Sequence, residues 1–176
     1  SVKSTVEIDD TTPNGPVLYT NDWFGWSVAN IGDLDGDGVN DLAVGAKSDN
    51  GSYHPAAKDL GAVHIIFMNT DGSVKSTVEI DNTTPNGPDL DIKDYFGSSV
   101  ANIGDLDGDG VNDIAVGAPY THVPNSADGT DWCCGGNPSG GDYEDRGTVY
   151  ILFMNTDGSV KSTVEIDDTT PNGPVL

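Results

Sequence analysis

The eighteen residues SVKSTVEIDDTTPNGPVL fill Ser1–Leu18, return almost unchanged at Ser73–Leu90, and appear letter for letter at Ser159–Leu176. A chain that re-enters its own beginning reads as a window on a tandem array. Each unit of such an array is one supersecondary motif that buries its apolar face only against a neighbour. The copies are spaced by 72 and 86 residues, and the 14 extra residues of the second interval fall between Gly117 and Gly147, so the larger period is 158.

Each unit holds four short strand-like stretches and no helical pattern. FGWSVANIG from Phe24 and DLAVGA from Asp41 flank an acidic loop; GAVHIIFMN from Gly61 and SVKSTVEI from Ser73 flank TDG. Two hairpins in succession predict one four-stranded antiparallel sheet. The second copy runs likewise through Phe96, Asp113, Gly147 and Ser159, and Ser1–Ile8 is expected to be the last strand of a preceding sheet. Strands as apolar as HIIFM predict burial on both faces, as when sheets stack, and the Pro and Asn-Gly content of the TTPNGP segments between sheets marks turns.

The acidic loop IGDLDGDGVNDLAVGA, Ile31–Ala46, recurs at Ile103–Ala118 with Leu42 changed to Ile114. Counted from Asp33 it offers carboxylates at positions 1, 3 and 5 (Asp33, Asp35, Asp37), glycine at 6, a backbone carbonyl at 7 (Val39) and Asp41 at 9. The second loop offers Asp105, Asp107, Asp109, Val111 and Asp113. This is calcium spacing: a hard cation takes six to eight oxygens at about 2.3–2.6 Å, and glycine permits the sharp bend that aims them at one point. A central dication turns the repulsion among four carboxylates into attraction. Two Ca2+ sites are therefore expected, closed by Asp41 and Asp113. An EF-hand is excluded, because position 12 is Val44 or Val116 and the flanks are strands. Magnesium, which demands strict octahedral geometry, is the weaker candidate.

WFGWSVANIGDLDGDGVNDLAVGA and YFGSSVANIGDLDGDGVNDIAVGAP resemble FG-GAP repeats, the blades of the integrin alpha-chain β-propeller and of many surface proteins. The first copy departs from the pattern at Lys47, where the family has proline. The resemblance implies an all-β fold of tandem four-stranded antiparallel blades. Their metal loops would lie on one face and their partner-binding loops, 47–60 and 119–146, on the other with the inter-blade segments. It divides the chain into the last strand and linker of a preceding blade (1–18), blade 1 with its calcium loop 33–41 (19–81), a linker (82–94), blade 2 with calcium loop 105–113 and long loop 119–146 (95–167), and a linker to the next repeat (168–176). A propeller closes with about four to eight blades. The array is thus part of a closed even-bladed propeller or of an open filament.

Twenty-nine acidic residues against 7 basic give a formal charge of -22, which repels phosphates and anionic lipid heads; nucleic acid and direct membrane insertion are excluded as partners. No nucleophile elbow, phosphate loop or His-rich motif is present, so no catalysis is expected here. In the long loop Tyr120, His122, Trp132 and Tyr143 are candidates for ligand contact, because recognition concentrates in long loops on rigid scaffolds. The adjacent Cys133 and Cys134 leave three readings: a strained vicinal disulfide, bridges to other chains, or free thiols. Asn50 and Asn82 fit the glycosylation pattern of an extracellular or cell-surface protein. Two functions follow. One is a calcium-stiffened structural repeat whose partners are neighbouring copies; the other is an adhesive module that binds a protein or glycan through its loops.

Overall fold

The computed structural model describes residues 1–50, 59–121 and 146–173. Two four-stranded antiparallel sheets follow one another along the chain. The first is β1 (Phe24–Gly32), β2 (Asp41–Ala46), β3 (Ala62–Met68) and β4 (Val74–Ile80); the second is β5 (Ser99–Gly104), β6 (Asp113–Ala118), β7 (Thr148–Met154) and β8 (Val160–Ile166). Within each sheet spatial order equals chain order. The fold is all-β among the described residues, as the sequence predicts, and the turns that can be followed carry local turn chemistry. In the β3–β4 turn, Asn69 N–H donates to Ser73 O, Asp71 Oδ1 accepts from Ser73 N–H, and Gly72 takes the left-handed conformation the turn needs.

The sheets stack face to face over one core. Ile31, Leu34, Val63 and Ile65 of the first unit and Val116, Leu152 and Met154 of the second are buried in a single cluster. β3 is buried along nearly its whole length, as the unbroken apolar run requires. Beside this core the two backbones touch. Ser27 Oγ donates to Gly97 O at 2.8 Å, Asn112 Nδ2 to Ile31 O at 2.9 Å, and Gly61 forms an isolated parallel bridge with Phe96. A Cβ on Gly45 would lie 2.0 Å from Gly97 O, so this approach is open only to glycine.

One expectation is adjusted. The strand expected from Phe96 begins at Ser99, because Phe96 bridges instead to Gly61, its N–H donating to Leu60 O at 2.9 Å, and is buried in the core. Ser1–Ile8 runs without a ladder partner among the described residues and is largely exposed. The segments after Ser1–Ile8, β4 and β8 form repeated turns in which Asp9, Asp81 and Asp167 accept from the backbone N–H of the threonines two residues on. These turns strap the next sheet: Thr77 Oγ1 donates to Asn14 O at 3.0 Å, and its counterpart Thr163 Oγ1 to Asn86 O at 2.7 Å.

Candidate functional site

The β1–β2 loop is a tight acidic bend held by its own backbone. Asp33 accepts from Asp37 N–H and Gly38 N–H at 2.9 Å each, Asp35 Oδ1 from Asp37 N–H at 3.2 Å, and Asp37 Oδ1 from Val39 N–H at 2.9 Å. Gly36 and Gly38 take positive φ to close the bend. The second loop repeats this scheme with Asp105, Asp107 and Asp109, and Val111 N–H donates to Asp109 Oδ1. In each loop one carboxylate oxygen from each of the three aspartates lies within 4.8 Å of the others. Such a set of hard oxygens is of the kind that can hold a divalent cation.

The fourth aspartate of each loop is engaged elsewhere. Asp41 is buried; its Oδ2 accepts from Leu34 N–H at 2.9 Å and its Oδ1 from Met68 N–H at 3.0 Å. Asp113 repeats this with Leu106 N–H at 2.8 Å and Met154 N–H at 3.0 Å. The carboxylate thus ties the loop to the end of the third strand. Burial pushes Asp41 above the usual carboxylate range, against the two backbone N–H donors that pull it down. Val39 and Val111 sit half-buried at the loop ends.

A lysine from the fourth strand completes each cluster, and sequence reading does not single it out. Lys75 Nζ donates to Asp35 Oδ2 and Asp37 Oδ2 at 2.6 Å each; Lys161 Nζ donates to Asp107 Oδ2 at 2.5 Å and Asp109 Oδ2 at 2.7 Å. These hydrogen bonds hold Asp37 and Asp109 below the usual carboxylate range and raise both lysines. The ammonium stands on two of the three carboxylates that are grouped in each loop. The signal in the sequence is the lysine in every copy of SVKS, which a single strand presents as an ordinary solvated charge.

At the opposite end of the sheets lies an exposed aromatic cluster. Trp23 and Trp26 meet edge to face at 5.5 Å, and Lys47 Nζ lies 3.4 Å from the Trp26 ring centroid and 5.7 Å from that of Tyr95. Tyr120 packs edge to face on Tyr95 at 5.4 Å. Lys47 therefore replaces the proline of the repeat pattern with a cation–π contact between neighbouring sheets. Of the other candidates, His122, Trp132, Cys133, Cys134 and Tyr143 lie outside the described residues. Asn50 is half-buried, its Oδ1 accepting from Asp59 N–H; Asn82 is half-buried at the start of the second strap.

A family model described as FG-GAP repeat matches residues 24–66 and 96–130. Integrin alpha-PS2 of Drosophila melanogaster is 38% identical over 147 residues, 82% of this chain and 9% of that protein. Integrin alpha-IIb of Homo sapiens is 32% identical over 152 residues, 86% of this chain and 12% of that protein. Integrin alpha-V of Gallus gallus is 40% identical over 100 residues, 56% of this chain and 9% of that protein. The chain thus spans 9–12% of the length of these relatives.

Proposed function

Residues 24–66 and 96–130 are FG-GAP repeats, and from that premise we propose that the chain is a calcium-binding structural unit of an extracellular tandem array, each ion stiffening one sheet of the integrin-like type. The observation that supports the reading is the triad of aspartate carboxylates gathered within 4.8 Å in both loops; Lys75 and Lys161 now neutralise part of that charge, and an ion would displace them. A dication in that position would gather oxygens of Asp33, Asp35 and Asp37, and of Asp105, Asp107 and Asp109, while Asp41 and Asp113 anchor the loops. Calcium would supply charge neutralisation and rigidity, with no chemistry of its own.

Extracellular sites of this kind bind at about 10⁻⁴–10⁻³ M. Ten millimolar calcium is therefore expected to raise the melting temperature by on the order of 10 °C over chelator, from two sites occupied at up to about 100 times their Kd. Asp35→Ala and Asp107→Ala should each remove one of two equivalents in a calorimetric titration. Melting curves that coincide in calcium and chelator, with no heat of binding, would overturn the reading.

The lysines make a further expectation specific. Lys75→Met and Lys161→Met keep the stem and remove the competing charge, so calcium should bind about 3- to 10-fold more tightly, whereas in chelator the variants should melt below the parent. Equal or weaker calcium binding would show that the ammonium and the ion do not share a place.

A second reading, an integrin-like adhesion or recognition module for a protein or glycan, is favoured by the aromatic cluster of Trp23, Trp26, Tyr95 and Tyr120. Half-exposed tryptophans beside an ammonium offer stacking area at low conformational cost.

A further inference from the structure

We infer that His64 and Asp49 form a buried proton-binding pair, and that loading it fixes the loop that carries Lys47 against the exposed aromatic cluster. His64 lies in the middle of β3 with 0% exposure, and neither ring nitrogen has a hydrogen-bond partner among the described residues. A buried polar group left in that state is costly unless a change of charge gives it a partner. The Asp49 carboxylate, 2% exposed, stands 3.5 Å from His64 Nε2, an ion-pair distance once the imidazole takes its second proton. Phe24 meets the ring edge to face at 5.5 Å, and buried Val44 is its neighbour on β2, so the surroundings on that side are apolar.

Three further carboxylates face the pair. Glu79 on β4 is the cross-strand partner of His64 and shares its face of the sheet; Asp81 follows β4, and Asp22 precedes β1. Asp22 and Asp81 are buried, whereas solvent still reaches Glu79. Desolvation and the carboxylates of Asp49, Asp81 and Asp22 push the Glu79 carboxyl up to about 7, against the pull of His64. Glu79 therefore holds its proton more tightly folded than unfolded, so folding gains as pH falls from about 7 towards 4.5 and loses as pH rises through the same window. An imidazolium among these groups turns their mutual repulsion into attraction.

The second sheet has a different pair in the same place. Tyr150 stands where His64 does, its hydroxyl donating to Asp89 O at 3.1 Å, and Thr121 stands where Asp49 does. Burial raises the Tyr150 phenol, which keeps its proton throughout. The first sheet alone thus carries an imidazole and a carboxylate at this position.

The pair reaches the surface through a short stretch of backbone. Asp49 O accepts from Gly61 N–H at 2.9 Å, and Ser48 N–H donates to Asp22 O at 3.2 Å, which ties residues 47–49 to the residue before Trp23. Two residues ahead of Asp49, Lys47 Nζ lies over the Trp26 ring. A charge gained by His64 holds Asp49 and this loop with it; a charge lost releases both.

The inference goes beyond the calcium reading and is tested without the ion, so either can fail alone. In chelator, an NMR titration of the full chain from about pH 8 to about pH 5 should move the His64 Cε1–H signal, identified by its loss in His64→Tyr. The Trp26 indole N–H signal should move with the same midpoint. Asp49→Asn keeps the size of the side chain and should lower that midpoint by about one pH unit. His64→Tyr with Asp49→Thr grafts the pair of the second sheet and should abolish the Trp26 transition. Lys47→Met should leave the His64 titration in place and abolish the Trp26 transition. A His64 signal that stays fixed across the range would overturn the inference, as would a Trp26 transition that survives the graft or the loss of Lys47.

Discussion

Replacing Asp41 by alanine is expected to cost about 2–4 kcal/mol of folding stability, in calcium and in chelator alike. The carboxylate is buried and both oxygens accept from backbone, Leu34 N–H on one side and Met68 N–H on the other. Each charge-assisted bond contributes about 1.5–3 kcal/mol, and each donor left without a partner costs about 1–3 kcal/mol; the desolvation of the carboxylate itself offsets part of this sum. Asparagine should rescue little, because its Nδ2 would present a donor to a donor. Urea denaturation of Asp41→Ala, Asp41→Asn and Asp113→Ala in the two buffers checks this. A loss confined to calcium would mean that the residue acts through the metal; no loss would remove its bridging role.

Gly97→Ala is expected to be as damaging, at about 3–5 kcal/mol, and its counterpart in the first sheet supplies the control. Gly25 and Gly97 occupy the same place in the repeat and share a φ of 84°. A Cβ on Gly25 meets nothing within 4 Å, whereas one on Gly97 would stand 2.4 Å from Ala62 O and 3.2 Å from Gly45 Cα. Gly25→Ala should therefore show the conformational strain alone, about 1–2 kcal/mol. Gly97→Ala adds a clash between backbones that no rotamer relieves. The difference between the two variants, read from thermal melts, reports how tightly the sheets are held together; equal losses would mean that the approach can open at no cost.

The eight strands are legible almost to the residue, because each apolar run ends in a turn with its own chemistry, Asp71 and Gly72 being one case. Pattern alone places Phe96 in a strand, whereas its burial depends on the backbone bridge to Gly61, a contact no local pattern contains. Asp41 shows a different limit. Spacing identifies it as a fourth oxygen of the loop, but its bond to Met68 N–H spans 27 residues and appears only once β3 is in place. Lys75 and Lys161 are hidden for the same reason: β4 and β8 carry them to aspartates that lie 38 to 54 residues away in sequence. Trp23 and Trp26 flank the Phe-Gly pair and draw less notice than the longer loop, although aromatic side chains next to an exposed turn are themselves a signal.

Lys47 reaches across from its own sheet to Tyr95 on the next, and the corresponding place in the second sheet is Pro119, with Ser98 where Trp26 stands. Any longer assembly of this 158-residue unit would therefore be marked on every second step only. Such a ruler has a direction and a parity: a molecule that reads the lysine–tryptophan mark would land at twice the step length, and would tell one end of the assembly from the other.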